Sequence, residues 1–225
     1  MALPRVDAYP MPRKTPPNRV DWRPERHRCA LLVHDMQRYF LAAFRRDAEP
    51  VPALLRNVRA LRDRCAALDI PRIYTVQPGD QKPRQRGLLR EFWGEGLRDD
   101  EAHTVVVPEV APHAGDGDIT VTKWRYSAFA RTGLEELLRG LGRDQLVVCG
   151  VYAHIGVLMT ACDAFMRDVE PFVVADAVAD FSAEEHAMAL DYAARRCAAV
   201  TTTRTVLGAL DGVAAEDGPA PAGGR

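Results

Sequence analysis

The chain has 225 residues, 47% of them hydrophobic, and 30 basic against 31 acidic side chains for a formal net charge of −1. That length suits one domain with a sizeable core, and the balanced charge excludes a strongly basic binder, so no nucleic-acid partner is expected. No apolar run is long enough for a membrane span and no signal-type apolar segment opens the chain, so no membrane partner is expected either.

Residues 1–28, "MALPRVDAYPMPRKTPPNRVDWRPERHR", are rich in proline and arginine and predict an extended N-terminal arm, with Tyr9, Met11 and Trp22 as candidate anchors. One domain is expected over 29–210 and a disordered Pro/Gly-rich tail over 211–225. "CALLVHD" (29–35) is the first apolar strand. Leucines at helical spacing mark a helix over 51–69, with Pro52 tolerated in its first turn. "RIYTVQP" (72–78) and "DITVTKW" (118–124) are strands, and the pattern Thr132…Glu135 reads as a capping box opening a helix over 132–142. "QLVVCGV" (145–151) is a strand, 154–167 a mostly apolar helix, and 171–180 begins as a strand. Ser182…Glu185 is a second capping box, for a helix over 183–196. "CAAVTTT" (197–203) is a last strand before a short helix.

Five cysteines (Cys29, Cys65, Cys149, Cys162 and Cys197) form no C-x-x-C pair. Core filling in a reduced cytoplasm is expected of them, rather than zinc or a disulfide framework.

Near-continuous apolar strands alternating with helices predict a Rossmann-like α/β/α fold, with a mainly parallel sheet of about six strands. Ligands in such folds sit beyond the carboxyl ends of the strands. That rule gathers Asp35, Gln77, Lys123 and the segment after Val151 on one rim. No G-x-G-x-x-G follows the first strand, no P-loop or G-x-S-x-G is present, and the six histidines show no metal spacing, so neither cofactor nor metal is expected. Asp35 has two readings on position alone, a helix cap or an acid–base group. A strand-end lysine such as Lys123 commonly snorkels to water. Together on one rim, a carboxylate and an ammonium suggest acid–base work.

The phrases "ALLVHDMQRYF", "YTVQPGDQKPRQRGLLREFWGEGL", "TKWRYSAF", "CGVYAHIGVLMTACDAFMRDVEPFVVADAVADFS" and "ALDYAARRCA" together resemble the isochorismatase family, over about residues 5 to 207. "DAYPMPR", "QPGDQKPRQRGLL" and "VYAHIGV" resemble the stand-alone 2-amino-2-deoxyisochorismate hydrolases of phenazine-type pathways. The resemblance implies a homodimer and a small chorismate-derived substrate. Amidases of the wider superfamily use an Asp–Lys–Cys triad. Here Asp35 and Lys123 match the pair, while Gly156, in "GVYAHIGV", takes the nucleophile's place. Covalent amide hydrolysis is therefore not expected.

An enolpyruvyl ether needs no nucleophilic side chain. Protonation of its methylene gives an oxocarbenium ion, water adds, and the hemiketal collapses to pyruvate and the ring alcohol. One general acid suffices. Asp35 is that acid in this reading and needs a raised pKa to act; burial and two substrate carboxylates push it up while Lys123 pulls it down, and Lys123 holds Asp35 or a substrate carboxylate. By resemblance Gln77 and Arg86 bind substrate, Tyr39, Trp93 and Tyr126 wall the ring, and Tyr152 and Gly156 sit on a turn whose amides face a carboxylate. The peptide before Tyr152 is often cis in this superfamily. His34, His154, Asp176 and Asp180 are read as structural, with tuning of the acid as the second reading for a histidine beside it. The 2-amino substrate is favoured over isochorismate, because no carrier domain follows the hydrolase region, and an inactive binding member of the family is the third reading.

Overall fold

The computed structural model describes residues 3–113 and 117–212. Its strands are β1 (Cys29–His34), β2 (Arg72–Val76), β3 (Asp118–Thr122), β4 (Gln145–Val151), β5 (Glu170–Ala179) and β6 (Ala199–Thr201). They form one six-stranded sheet in the order β3-β2-β1-β4-β5-β6, and every pairing is parallel. The helices are α1 (Arg38–Leu41), α2 (Val51–Ala67), α3 (Pro83–Arg86), α4 (Leu89–Trp93), α5 (Glu101–Thr104), α6 (Leu134–Gly140), α7 (Leu158–Phe165), α8 (Ala183–Arg196) and α9 (Thr203–Leu210). None is long and apolar enough to cross a membrane. The expected tail lies outside the described residues from 213 onward.

Alternation along the strands separates two cores. Leu31, Val33, Tyr74, Val147 and Cys149 face α2 and α9, while Ala30, Leu32, Ile73, Leu146 and Val148 face α6, α7 and α8. A strand sandwiched this way is apolar at every position, which is why β1 and β4 are buried throughout. The chain runs outward in one direction from β1 to β3 and in the other from β4 to β6. The strand order therefore reverses between β1 and β4, and their carboxyl ends open the crevice where such sheets bind ligands. β4 approaches β1 so closely there that a Cβ on Gly150, at φ +113°, would lie 2.2 Å from the His34 carbonyl oxygen, so only glycine fits.

Two local expectations need correction. The capping box Thr132…Glu135 does not form: the N-cap of α6 is Gly133, and the Thr132 hydroxyl donates back to the Ala128 carbonyl at 2.5 Å and accepts from the Leu134 amide at 3.3 Å instead of from Glu135. The helix expected over 154–167 opens instead as a π turn over Ala153–Val157, in which the Tyr152 carbonyl accepts from both Ile155 and Val157. Ser182, by contrast, does cap α8, accepting from the Glu185 amide at 3.1 Å.

The arm lies on the domain. Val6 donates its amide to Ala43, Tyr9 is buried, and Asn18 exchanges two hydrogen bonds with Val200. Met11 and Trp22 pack half-buried on the core.

Candidate active site

Residues that follow β1, β2, β3 and β4 line one pocket, with about 490 Å³ of empty space counting the solvent at its opening. Asp35 follows β1, Gln77 follows β2, Lys123 follows β3 and Tyr152 follows β4. All nine sequence-nominated residues (Asp35, Tyr39, Gln77, Arg86, Trp93, Lys123, Tyr126, Tyr152 and Gly156) are among the lining. Leu3, His34, Phe40 and Phe181 also line it.

The cap reading of Asp35 does not hold. Its side chain accepts from the Thr75 hydroxyl at 2.5 Å, Gln77 Nε2 at 3.0 Å and Lys123 Nζ at 2.9 Å, and from no helix amide. Its backbone sits at φ +49°, a conformation that costs a non-glycine residue energy and that clusters at functional sites. The snorkelling reading of Lys123 also fails. The side chain is buried, and its ammonium is spent on Asp35, the Arg125 carbonyl at 2.7 Å and the Tyr126 carbonyl at 3.2 Å.

Burial pushes the Asp35 carboxyl up, but Lys123, His34, Thr75 and Gln77 together outweigh it and hold the group below the usual carboxylate range. Without substrate the contest between burial and Lys123 therefore goes to the cation, and Asp35 is ionised at neutral pH. His34 is fully buried, and that burial pushes its ring down to about 4, so it is neutral. Its Nδ1 lies 2.8 Å from the Val151 carbonyl and therefore carries the proton, leaving Nε2 without a hydrogen-bond partner among the described residues.

The imidazole of His34 also explains residue 156. A Cβ there would lie 2.2 Å from His34 Cε1, so the ring fills the space a side chain would need. Neither Cys149 nor Cys162 is among the lining residues, and burial drives the Cys149 thiol far up.

Arg86 is buried, makes no ion pair among the described residues, and is braced by the Gly94 carbonyl at 3.2 Å. Its guanidinium meets Gln77 Oε1 at 3.4 Å. An unpaired buried cation lining a cavity suits an anion. Trp93 Nε1 donates to the Tyr126 hydroxyl at 2.7 Å and joins two walls of the cavity. The Tyr152 hydroxyl donates to the Phe40 carbonyl at 2.7 Å, and the Val151–Tyr152 peptide is cis. Tyr39 packs edge-on against His103.

Sequence reading missed four contributors. Thr75 is an ordinary strand threonine until the register sets it beside Asp35. Gln37 clasps Gln77 through both main-chain groups, at 2.7 and 2.9 Å. Phe181 packs 4.3 Å from the Tyr152 ring, and Leu3 reaches the cavity from the arm. Only Gln37 lay inside a quoted motif around Asp35. His154, Asp180 and Glu185 bring three potential metal-ligand atoms within 4.8 Å of one another, although far apart in sequence. His154 Nδ1 and Asp180 Oδ1 bond each other at 2.6 Å, so the cluster is satisfied internally.

Residues 29–205 match the isochorismatase domain model. The chain is 50% identical over 218 residues to an isochorismatase of Bacillus subtilis, covering 96% of this chain and 69% of that one. It is also 50% identical over 212 residues to a phenazine biosynthesis protein of Pseudomonas aeruginosa, covering 91% and 98%. The crystal structure of a cysteine hydrolase from Pseudomonas syringae pv. phaseolicola superimposes with a TM-score of 0.76 at 23% identity, over 88% of this chain and 98% of that one.

Proposed function

The chain belongs to the isochorismatase family of hydrolases, and on that premise we propose that it hydrolyses the enolpyruvyl ether of 2-amino-2-deoxyisochorismate. The products are pyruvate and trans-2,3-dihydro-3-hydroxyanthranilate. The observation that carries the reading is a buried carboxylate–ammonium pair, Asp35 and Lys123, facing a cavity in which the nucleophile's position is a glycine closed off by the His34 ring.

Asp35 gives its proton to the terminal methylene carbon, the slow step of vinyl ether hydrolysis. Substrate brings two carboxylates and expels water, and both effects raise the Asp35 pKa. Lys123 turns part of its charge to a substrate carboxylate and so relaxes its hold on the acid. Arg86 and Gln77 grip the ring carboxylate, and the Gly156 amide receives the enolpyruvyl carboxylate, those of His154 and Ile155 being spent on Asp180 and the Tyr152 carbonyl. Tyr39, Trp93, Tyr126 and Phe181 exclude bulk water. Water adds to the oxocarbenium carbon, and the hemiketal collapses. No side chain becomes acylated, and no metal or cofactor takes part. A homodimer in the cytoplasm, in a phenazine-type pathway, completes the proposal.

Isochorismate is the second reading, favoured by the 50% identity to the Bacillus subtilis isochorismatase. A lactate-dehydrogenase-coupled pyruvate assay on both substrates tests the choice. The expected result is pyruvate from both, with the larger kcat/KM for the amino compound. In D2O the pyruvate methyl group gains solvent deuterium. Pyruvate from neither substrate overturns the proposed reaction.

A further inference from the structure

A second buried carboxylate stands next to the cavity without lining it. Asp180 is fully buried at the end of β5. Its Oδ2 accepts the His154 amide at 2.6 Å, and its Oδ1 accepts His154 Nδ1–H at 2.6 Å and the Phe181 amide at 2.9 Å. The Asp180 amide donates to the Tyr9 hydroxyl at 2.7 Å. His186 Nε2 lies 3.1 Å from the Ala175 carbonyl and carries that ring's proton, so Nδ1 accepts from the Tyr9 hydroxyl at 3.2 Å. Three separate segments meet at this residue: the arm on its backbone, and the turn after β4 and the loop after β5 on its carboxylate.

Neither His154 nor Asp180 touches the cavity. Their sequence neighbours Tyr152, Ile155, Gly156 and Phe181 all line it. We propose that His154 and Asp180 are positioning residues, a histidine–carboxylate clamp that fixes the turn over Tyr152–Val157 and Phe181 as one surface receiving the substrate's enolpyruvyl carboxylate, with Tyr9 tying the arm to it. The assignment of that carboxylate rests on the proposed reaction. The hydrogen bonds of the clamp do not.

The groups facing the clamp are few. Glu185 Oε1, on α8, lies 3.9 Å from His154 Nε2, the Phe181 ring lies edge-on to the imidazole, and Tyr9 and His186 face Asp180. Burial disfavours the charged His154 ring, but the bond and charge of Asp180 with the charge of Glu185 outweigh it and raise the value above 6.5. The sign follows. The charge-assisted clamp is complete below about 6.5 and weakens as pH rises through the raised value.

The test compares wild type with His154→Gln, Asp180→Asn and Tyr9→Phe, by pyruvate release from 2-amino-2-deoxyisochorismate. A carboxylate cradle binds ground and transition states alike, so its disturbance raises KM and spares kcat. His154→Gln is expected to raise KM about tenfold with kcat within about threefold of wild type. The wild-type advantage in kcat/KM over His154→Gln is expected to shrink as pH rises through the raised His154 value. A purely structural residue would not produce this trend. An NMR titration of the His154 ring needs no substrate: it should give a pKa above 6.5 in wild type and a lower one in Asp180→Asn. If Asp180→Asn does not fold, Tyr9→Phe replaces it, with the expected KM between those of wild type and His154→Gln. A wild-type KM in His154→Gln together with a pH-independent ratio overturns the clamp, as does a ring that titrates below 6.5. Absence of pyruvate from wild type overturns the reaction instead, and the titration still judges the clamp.

Discussion

Asp35 and Asp180 are two buried carboxylates at the ends of β1 and β5, on either side of β4, each with a cationic or potentially cationic partner, yet they are held in different ways. Among the described residues, all the donors to the Asp35 carboxylate are side chains: Thr75, Gln77 and Lys123. Gln77 and Lys123 face the cavity and can turn toward an incoming anion. Asp180 is held by two backbone amides as well as His154. Backbone donors are fixed by the fold and do not follow a ligand. In the proposed reaction the donors of the first carboxylate rearrange when substrate arrives, whereas the hydrogen bonds of the second stay fixed. Burial alone does not separate a reacting acid from a structural one; the mobility of its donors does.

The largest effect that separates the two is expected at Asp35. Asp35→Asn keeps the shape and removes the acid proton, and general acid catalysis contributes about 10²–10⁴-fold, so kcat should fall by at least ~100-fold with KM little changed. Retention of a tenth or more of wild-type kcat, about 10-fold or less lost against that range, would falsify the assignment of Asp35 as the donor. Lys123→Ala should fall next, by about 10–100-fold in kcat/KM with both constants changed, because one ammonium serves Asp35 and substrate. An unaltered KM would reduce Lys123 to a holder of the acid alone.

A smaller effect is expected where the Asp35 side meets the turn that the clamp holds. Gly156→Ala forces a methyl against the His34 ring and should cost about 1–3 kcal/mol, read as a Tm lowered by roughly 2–4 °C per kcal/mol. His34→Ala should recover most of that loss in the double variant, since the clash is pairwise. Additive losses would place the clash elsewhere. The smallest effect is expected from Tyr9→Phe, which leaves the buried Asp180 amide without its acceptor. A Tm drop of about 2–8 °C, with kcat unchanged, is the expected reading from a differential scanning experiment.

The sheet was legible because strands buried on both faces are apolar at every position, as in "CALLVH" and "QLVVCGV". The residues around Asp35 were legible because strand ends in such a sheet converge. What sequence did not show was the sign of the Asp35 shift. That depends on a contest between burial and Lys123 which only distances decide. Thr132 misled because the same hydroxyl can cap forward or bond backward to Ala128, and local pattern does not distinguish the two. Sequence marked position 156 only by resemblance, while the ring that leaves it no room for a side chain, His34, lies 122 positions away in the chain. His154 and Asp180 read as structural because their partners come from three segments that no local motif links.

Leu3 belongs to the cavity wall, and Tyr9 anchors the strap that brings it there. Any purification tag or fusion partner joined ahead of Leu3 therefore emerges beside the mouth of the active site. A chain prepared that way is expected to misreport its affinity for substrate until the added residues are cleaved, and a preparation trimmed past Leu3 loses part of the pocket itself.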